Sequence, residues 1–200
     1  MAGAFDAWDL ATLLPASYHP PGRRPPNRRP VAYLIETPRL GLRELTLDDL
    51  PFVEIMLSDP VVMRYYPAVL DRDGARIWLE KQLGRYQRDG TGLWLVEHAE
   101  SGEPLGQVGL AVQTLPDGRH PEVAYLIHSA HHRRGYATEA AKSVHDFAFN
   151  TKRYPYVISL IRPENTPSQG VARKTGMMPG KIIKWHGMDH VVWRRDSPAG

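Results

Sequence analysis

The sequence of 200 residues contains no cysteine, which excludes disulfides and thiolate metal sites and makes a reducing cytoplasm the expected compartment. No apolar run comes near the roughly eighteen residues needed to cross a bilayer, so no membrane partner is expected. The stretch MAGAFDAWDLATLL carries Asp6 and Asp9 where a secretory signal would carry positive charge, so no export signal is expected either. Most of the chain also lacks a surplus of one charge. Of the net +3, residues 1–30 supply +2, through Arg23, Arg24, Arg28 and Arg29 set against the two aspartates, and the other 170 residues supply +1. That is too little for a nucleic-acid-binding body, and nucleic acid is not the expected partner.

What remains suits one domain of ordinary composition, 42% hydrophobic and 24% charged. HPPGRRPPNRRP, residues 19–30, cannot enter a helix or sheet interior, because its prolines fix φ and remove donors. Residues 1–30 are therefore expected to be a flexible extension, 31–196 a folded domain and 197–200 a disordered end.

Within the domain, RLGLREL alternates as a strand, and TLDDL offers Thr46 as an N-cap with Asp49 three residues later, opening a helix that ends near SDP. ARIWLEKQLGRYQRDG predicts a second helix whose core face is Ala75, Trp78, Leu79, Leu83 and Tyr86. LWLVEHA, PLGQVGLAVQ and EVAYLIH read as strands separated by short turns, hence as antiparallel neighbours. A helix follows with an apolar stripe of Ala137, Ala140, Ala141, Val144, Phe147 and Ala148, then a strand in YPYVISLI. NTPSQGVARKTGM predicts a short helix with Thr166 as N-cap and Gly176 at its end, and KIIKWHG with HVVWRR a final hairpin. The fold class is mixed α/β, one twisted sheet with helices packed on it.

HHRRGYATEAA, residues 131–141, joins a strand to a helix N-terminus through a glycine. The amides of Tyr136, Ala137 and Thr138 and the helix dipole favour an anion there, Gly135 permits close approach, and Arg133 and Arg134 can pair with phosphate oxygens. No Gly-Lys-Ser/Thr follows and G-x-G-x-x-G is absent, so neither a nucleotide-hydrolysing loop nor a dinucleotide site fits.

EVAYLIHSAHHRRGYATEAA resembles the acetyl-CoA-binding segment of GNAT N-acetyltransferases, with Gly135, Tyr136 and Ala137 matching the second half of Gln/Arg-x-x-Gly-x-Gly/Ala and His132 at its first position. ENTPSQGVARKTGM is similar to that family's Asn-x-x-Ser…Lys-x-Gly-Phe/Met segment, and ETPRLGLRELTLDDL to the start of its RimJ/RimL-like subgroup, which acetylates protein N-termini among other amines. The resemblance spans Ile35 to Arg195. It implies a mostly antiparallel sheet of about seven strands, flanked by helices and splayed between the fourth and fifth.

The resemblance also implies roles. Arg133 to Thr138 would hold the pyrophosphate of acetyl-CoA. The backbone at Leu126, Ile127 and His128 would pair with the pantetheine arm, one amide polarising the thioester carbonyl, and Asn165 would lie beside the cofactor. The family's general-acid tyrosine falls at Ala172, so Ser168, matching the RimL-like serine, would stand near the leaving thiolate. Glu122, at the start of its strand, would be the general base, directly or through water. The implied reaction is direct attack by a primary amine, of a small molecule or a protein N-terminus, on acetyl-CoA in a ternary complex, with a homodimer left open. His128, His131 and His132, with His186 and His190, lack the thiolates or carboxylates of a metal site, and no metal is expected. Trp94, Trp185 and Trp193 are read as core or rim packing, with one of them lining the acceptor cleft as the alternative. Two rival readings keep the fold without the chemistry: a catalytically silent acyl-CoA-binding module, and a protein docking on the ribosome or RNA through its basic arm.

Overall fold

Hydrophobic alternation resolves here into two cores, one on each face of a single sheet. The structure, a computed structural model, describes residues 32–198; the extension 1–30, residue 31 and residues 199–200 lie outside the described residues. Two short strands, β1 (Ile35–Glu36) and β2 (Leu40–Arg43), lead into α1 (Leu50–Ser58) and α2 (Arg72–Asp89). The meander β3 (Leu93–His98), β4 (Pro104–Leu115) and β5 (Gly118–Ile127) follows, then α3 (Tyr136–Asp146), β6 (Tyr156–Ile161), α4 (Thr166–Lys174) and the hairpin β7 (Met178–Trp185) and β8 (Met188–Asp196). The eight strands run in the order β1-β2-β3-β4-β5-β6-β8-β7. All neighbours are antiparallel except β5 and β6, which meet in parallel at Glu122 and Ile158 alone. None of the described helices is long and apolar enough to cross a membrane.

Strand alternation divides the core. Trp94 and Val96 join Leu40, Val123, Val144 and Trp193 under α3, whereas Leu95 joins Val53, Met56 and Leu79 under α1 and α2. A sheet covered on both faces explains why LWLV is apolar without a break. Asp49 caps the turn before α1 through Thr46 N (2.7 Å), as the sequence predicts, and its two oxygens also take both ends of the Arg43 fork (2.7 Å each).

Two expectations shift. The cap of α4 is Asn165, whose Oδ1 accepts from Ser168 N (3.1 Å), while Thr166 becomes the first helical residue; Asn is the stronger cap. On α2, Leu83 is only half-buried, and the polar Gln82 and Arg85 are buried instead. Sequence periodicity reads burial as apolar, but this face of α2 lines a cleft.

Arg195 Nη1 donates to His145 Nδ1 and to Thr175 O (3.0 Å each), tying β8 to α3 and to the end of α4. Burial first, and then the Arg195 charge, lower the imidazole of His145 to about 4. A group with a depressed folded value binds protons better when unfolded. Stability is therefore expected to fall as pH drops from about 6.5 through 4, by at most about 3 kcal/mol. Urea unfolding at pH 7.5 and 5.0 tests this, and His145→Gln should flatten the difference.

Candidate active site

The single β5–β6 bridge leaves the two strands diverging toward their C-terminal ends. Two side chains close the vertex of the opening. Ser159 Oγ donates to Val123 O (2.6 Å), and Glu122 Oε1 accepts from Leu160 N (3.2 Å), the first β6 amide past the bridge. Beyond them opens a cleft of about 1060 Å³, bounded by α2 and the segment 61–67 on one side and by the starts of α3 and α4 on the other. That exceeds the usual size of a single small-molecule site and suits two ligands meeting inside.

The β5 backbone is presented in alternation. His128 N donates to Leu105 O (2.9 Å), and a Cβ on Gly106 would fall 2.2 Å from Leu126 O, so even-numbered residues turn their backbone groups to β4. Odd-numbered residues face the opening, as Val123 O does. The amides available to a ligand are therefore those of Tyr125 and Ile127. Of the three expected positions, Leu126 and Ile127 line the cleft and His128 does not, and the amides of Leu126 and His128 are turned to β4. The His128 ring lies instead near Phe52 and Asp59. Only strand register reveals which amides are open.

At the turn, Gly135 caps α3 with φ 85°, and the first helical bond runs from Glu139 N to Gly135 O (3.0 Å). The amides of Tyr136, Ala137 and Thr138 precede it and are left for a ligand. Arg133 is also left-handed, at φ 63°, a conformation an arginine adopts at a cost. Three contacts brace the loop: His132 Nε2, which must carry the proton, donates to Ile127 O (2.7 Å); Arg39 Nη1 donates to Arg134 O (3.1 Å); and Arg39 Nε donates to Glu139 (2.7 Å). Arg133 lines the cleft, whereas the exposed side chain of Arg134 does not. Sequence reading missed Arg39, which lies nearly a hundred positions away.

Asn165 and Ser168 stand on the same wall. The main chain of Ser168 is held at both ends, its amide by Asn165 and its carbonyl by the Tyr125 hydroxyl (2.8 Å). Its own hydroxyl has no protein partner among the described residues. Ala172, at the expected tyrosine position, is fully buried in the core.

Glu122 is 6% exposed and lines the cleft at its vertex. Oε2 accepts from Gln113 Nε2 (2.6 Å). Burial raises its carboxyl above the ordinary range; the bonds from Gln113 and Leu160 N and the charge of Arg85 work the other way without cancelling it. Of the three tryptophans read as core, rim or cleft residues, Trp185 lines the cleft together with Trp78, while Trp94 and Trp193 are core. No group of three His, Asp or Glu residues among the described residues could hold a metal ion.

Comparisons with known proteins agree with this geometry. Residues 39–178 match the model of the acetyltransferase (GNAT) domain. The uncharacterised protein YkkB of Bacillus subtilis is 32% identical over 162 residues, covering 80% of this chain and 94% of its own length. The crystal structure of an acetyltransferase from Agrobacterium tumefaciens superposes with a TM-score of 0.71 at 27% identity, over 86% of this chain and 100% of that one. RimL, a ribosomal L7/L12 alpha-N-protein acetyltransferase, shares the fold at a TM-score of 0.70 and 15% identity, over 88% and 99% of the two chains. With its sheet splayed at β5–β6, a glycine turn at the start of α3 and a domain match over 140 of its 200 residues, the chain belongs to the GNAT acetyltransferase family.

Proposed function

We propose that the protein transfers the acetyl group of acetyl-CoA to a primary amine by direct attack in a ternary complex, as the RimJ/RimL-like resemblance implies. The observation that carries this reading is the pairing of an anion-binding helix start with a strand whose open amides lead from it toward a buried carboxylate. Arg133 and the amides of Tyr136, Ala137 and Thr138 take the pyrophosphate, with Asn165 beside the cofactor. The amides of Tyr125 and Ile127 pair with the pantetheine arm, and that of Ile127 stabilises the oxyanion when the amine nitrogen bonds to the thioester carbon. Glu122 accepts the amine proton. Five residues at about 3.3 Å each separate it from Ile127, roughly 17 Å along the strand, so the proton travels through water. The carbon–sulfur bond then breaks, and the thiolate takes a proton with help from the Ser168 hydroxyl. A protein N-terminus and a small-molecule amine both fit this chemistry, and the silent acyl-CoA-binding module is its rival.

Release of coenzyme A from acetyl-CoA over a panel of amines tests the proposal. Binding without turnover on any amine would favour the silent module. Ser168→Ala is expected to lower kcat about tenfold with the acetyl-CoA affinity little changed, since the donor matters only as charge develops on sulfur. A rise confined to the KM for acetyl-CoA would make Ser168 a binding residue instead.

A further inference from the structure

Acetyl-CoA accounts for the positive charge at one end of the cleft only. The opposite wall, formed by α2 and the 61–67 segment, carries Arg64, Lys81 and Arg85, and Glu122 is the single acidic residue lining the cleft among the described residues. One cation would balance Glu122. Three leave an excess.

Arg85 is the informative member. It is 8% exposed, and its Nη1 donates to Gln82 Oε1 (3.1 Å). Gln82 is itself fixed, because the same oxygen accepts from Leu93 N and its Nε2 donates to Trp78 O (3.3 Å each). The guanidinium is thus held in place by one of its nitrogens, and its other donors have no protein partner among the described residues. No carboxylate lies within 4.0 Å of it there, and both Glu122 oxygens are engaged by Gln113 and Leu160. The free donors open on the cleft, where a fork of this kind matches a carboxylate through two parallel bonds. Lys81, one turn earlier on the same face, is held below the ordinary lysine range by burial and by the charges of Arg85 and Arg88.

We propose that the acceptor is a small amine carrying its own carboxylate, an amino acid or close derivative, with the carboxylate on Arg85 and Lys81 and the amine directed into the cleft toward the thioester, its proton reaching Glu122 through water. This deepens the acetyl-transfer reading above and rests on it. Polycationic amines are disfavoured by the same charges, since two like charges about 6 Å apart repel by roughly 3 kcal/mol at a protein surface.

The test compares rates of coenzyme A release for matched sets: alanine, leucine and phenylalanine, their carboxamides, and the amines lacking the carboxyl group, with spermidine, kanamycin and an amidated tripeptide alongside. At least one free amino acid is expected to exceed its carboxamide about 30-fold or more in kcat/KM, and spermidine and kanamycin by more. Arg85→Met should shrink that acid-to-amide preference to less than threefold, with coenzyme A affinity by calorimetry reporting that the variant is folded. Should Arg85→Met fail to fold, Lys81→Ala, which removes no hydrogen bond or ion pair among the described residues, should still cut the preference about fivefold. Carboxamides, polycations or the tripeptide performing as well as the acids would overturn the proposal, as would a preference that survives in both variants. Coenzyme A binding with no amine acetylated would instead overturn the acetyl-transfer reading itself.

Discussion

Gly135→Asp is expected to weaken coenzyme A binding by at least 100-fold, while Gly135→Asn weakens it about tenfold or less. At φ 85° both side chains pay a similar cost for the left-handed conformation, which Asn and Asp tolerate better than other residues. Space is not the obstacle, because a Cβ at this position would meet nothing nearer than Arg39 Nη2, at 3.4 Å. The two variants therefore differ mainly in charge. A carboxylate about 4 Å from a phosphate costs roughly 4 kcal/mol at an effective dielectric near 20, about a thousandfold in affinity. Pairing of the new carboxylate with Arg39 would offset part of that, hence the lower bound. Calorimetry with coenzyme A measures both, and equal losses in the two variants would show that the turn does not carry the pyrophosphate.

Glu122→Gln is expected to lower kcat by about 10- to 100-fold and to move the rising limb of the pH–rate profile upward. General-base catalysis is worth about 10²- to 10⁴-fold, and a base acting through water belongs at the low end. The amine sets how much the loss matters. An α-amine with a pKa near 7.7–8.0 is roughly 15% neutral at pH 7, so deprotonation costs about 1.1 kcal/mol; a lysine-type amine near 10.4 costs about 4.6 kcal/mol. The loss should thus be largest for acceptors of high pKa. Unfolding is separable from chemistry by sign. A carboxyl whose folded value is raised binds its proton better in the native state, so it detracts from stability as pH rises through that range. Glu122→Gln removes this penalty, and its melting temperature at pH 8 is expected to equal or exceed that of the parent. An unchanged pH–rate profile with the best acceptor would leave deprotonation to solvent and Glu122 as a structural closure of the strand vertex.

The sequence by itself determined what depends on neighbours along the chain. Strand and helix identities follow from apolar runs bounded by turn signals and from an apolar period of 3.6, so β3, β4 and β5 stand between the turns that bound them. Helix α3 begins with the stripe from Ala137, whose last residues, Phe147 and Ala148, continue into a π-helical segment past Asp146. The glycine turn was legible for the same reason: a strand, Gly135 and a helix start lie within a dozen residues. Tertiary structure decided what depends on strand pairing and on distant partners. Which β5 amides are open follows from the pairing with β4, which turns Leu126 and His128 away and leaves Tyr125 and Ile127. That Glu122 closes a vertex follows from β6 meeting β5 at one residue pair and then diverging. The polar face of α2 was missed because Gln82 and Arg85 break the apolar pattern by which burial is recognised. Their burial is stabilised through Leu93 and Trp78, contacts no local period encodes. A charged residue is buried where other elements supply its partners or where a ligand will, and only the folded chain shows that Arg85 faces a cleft.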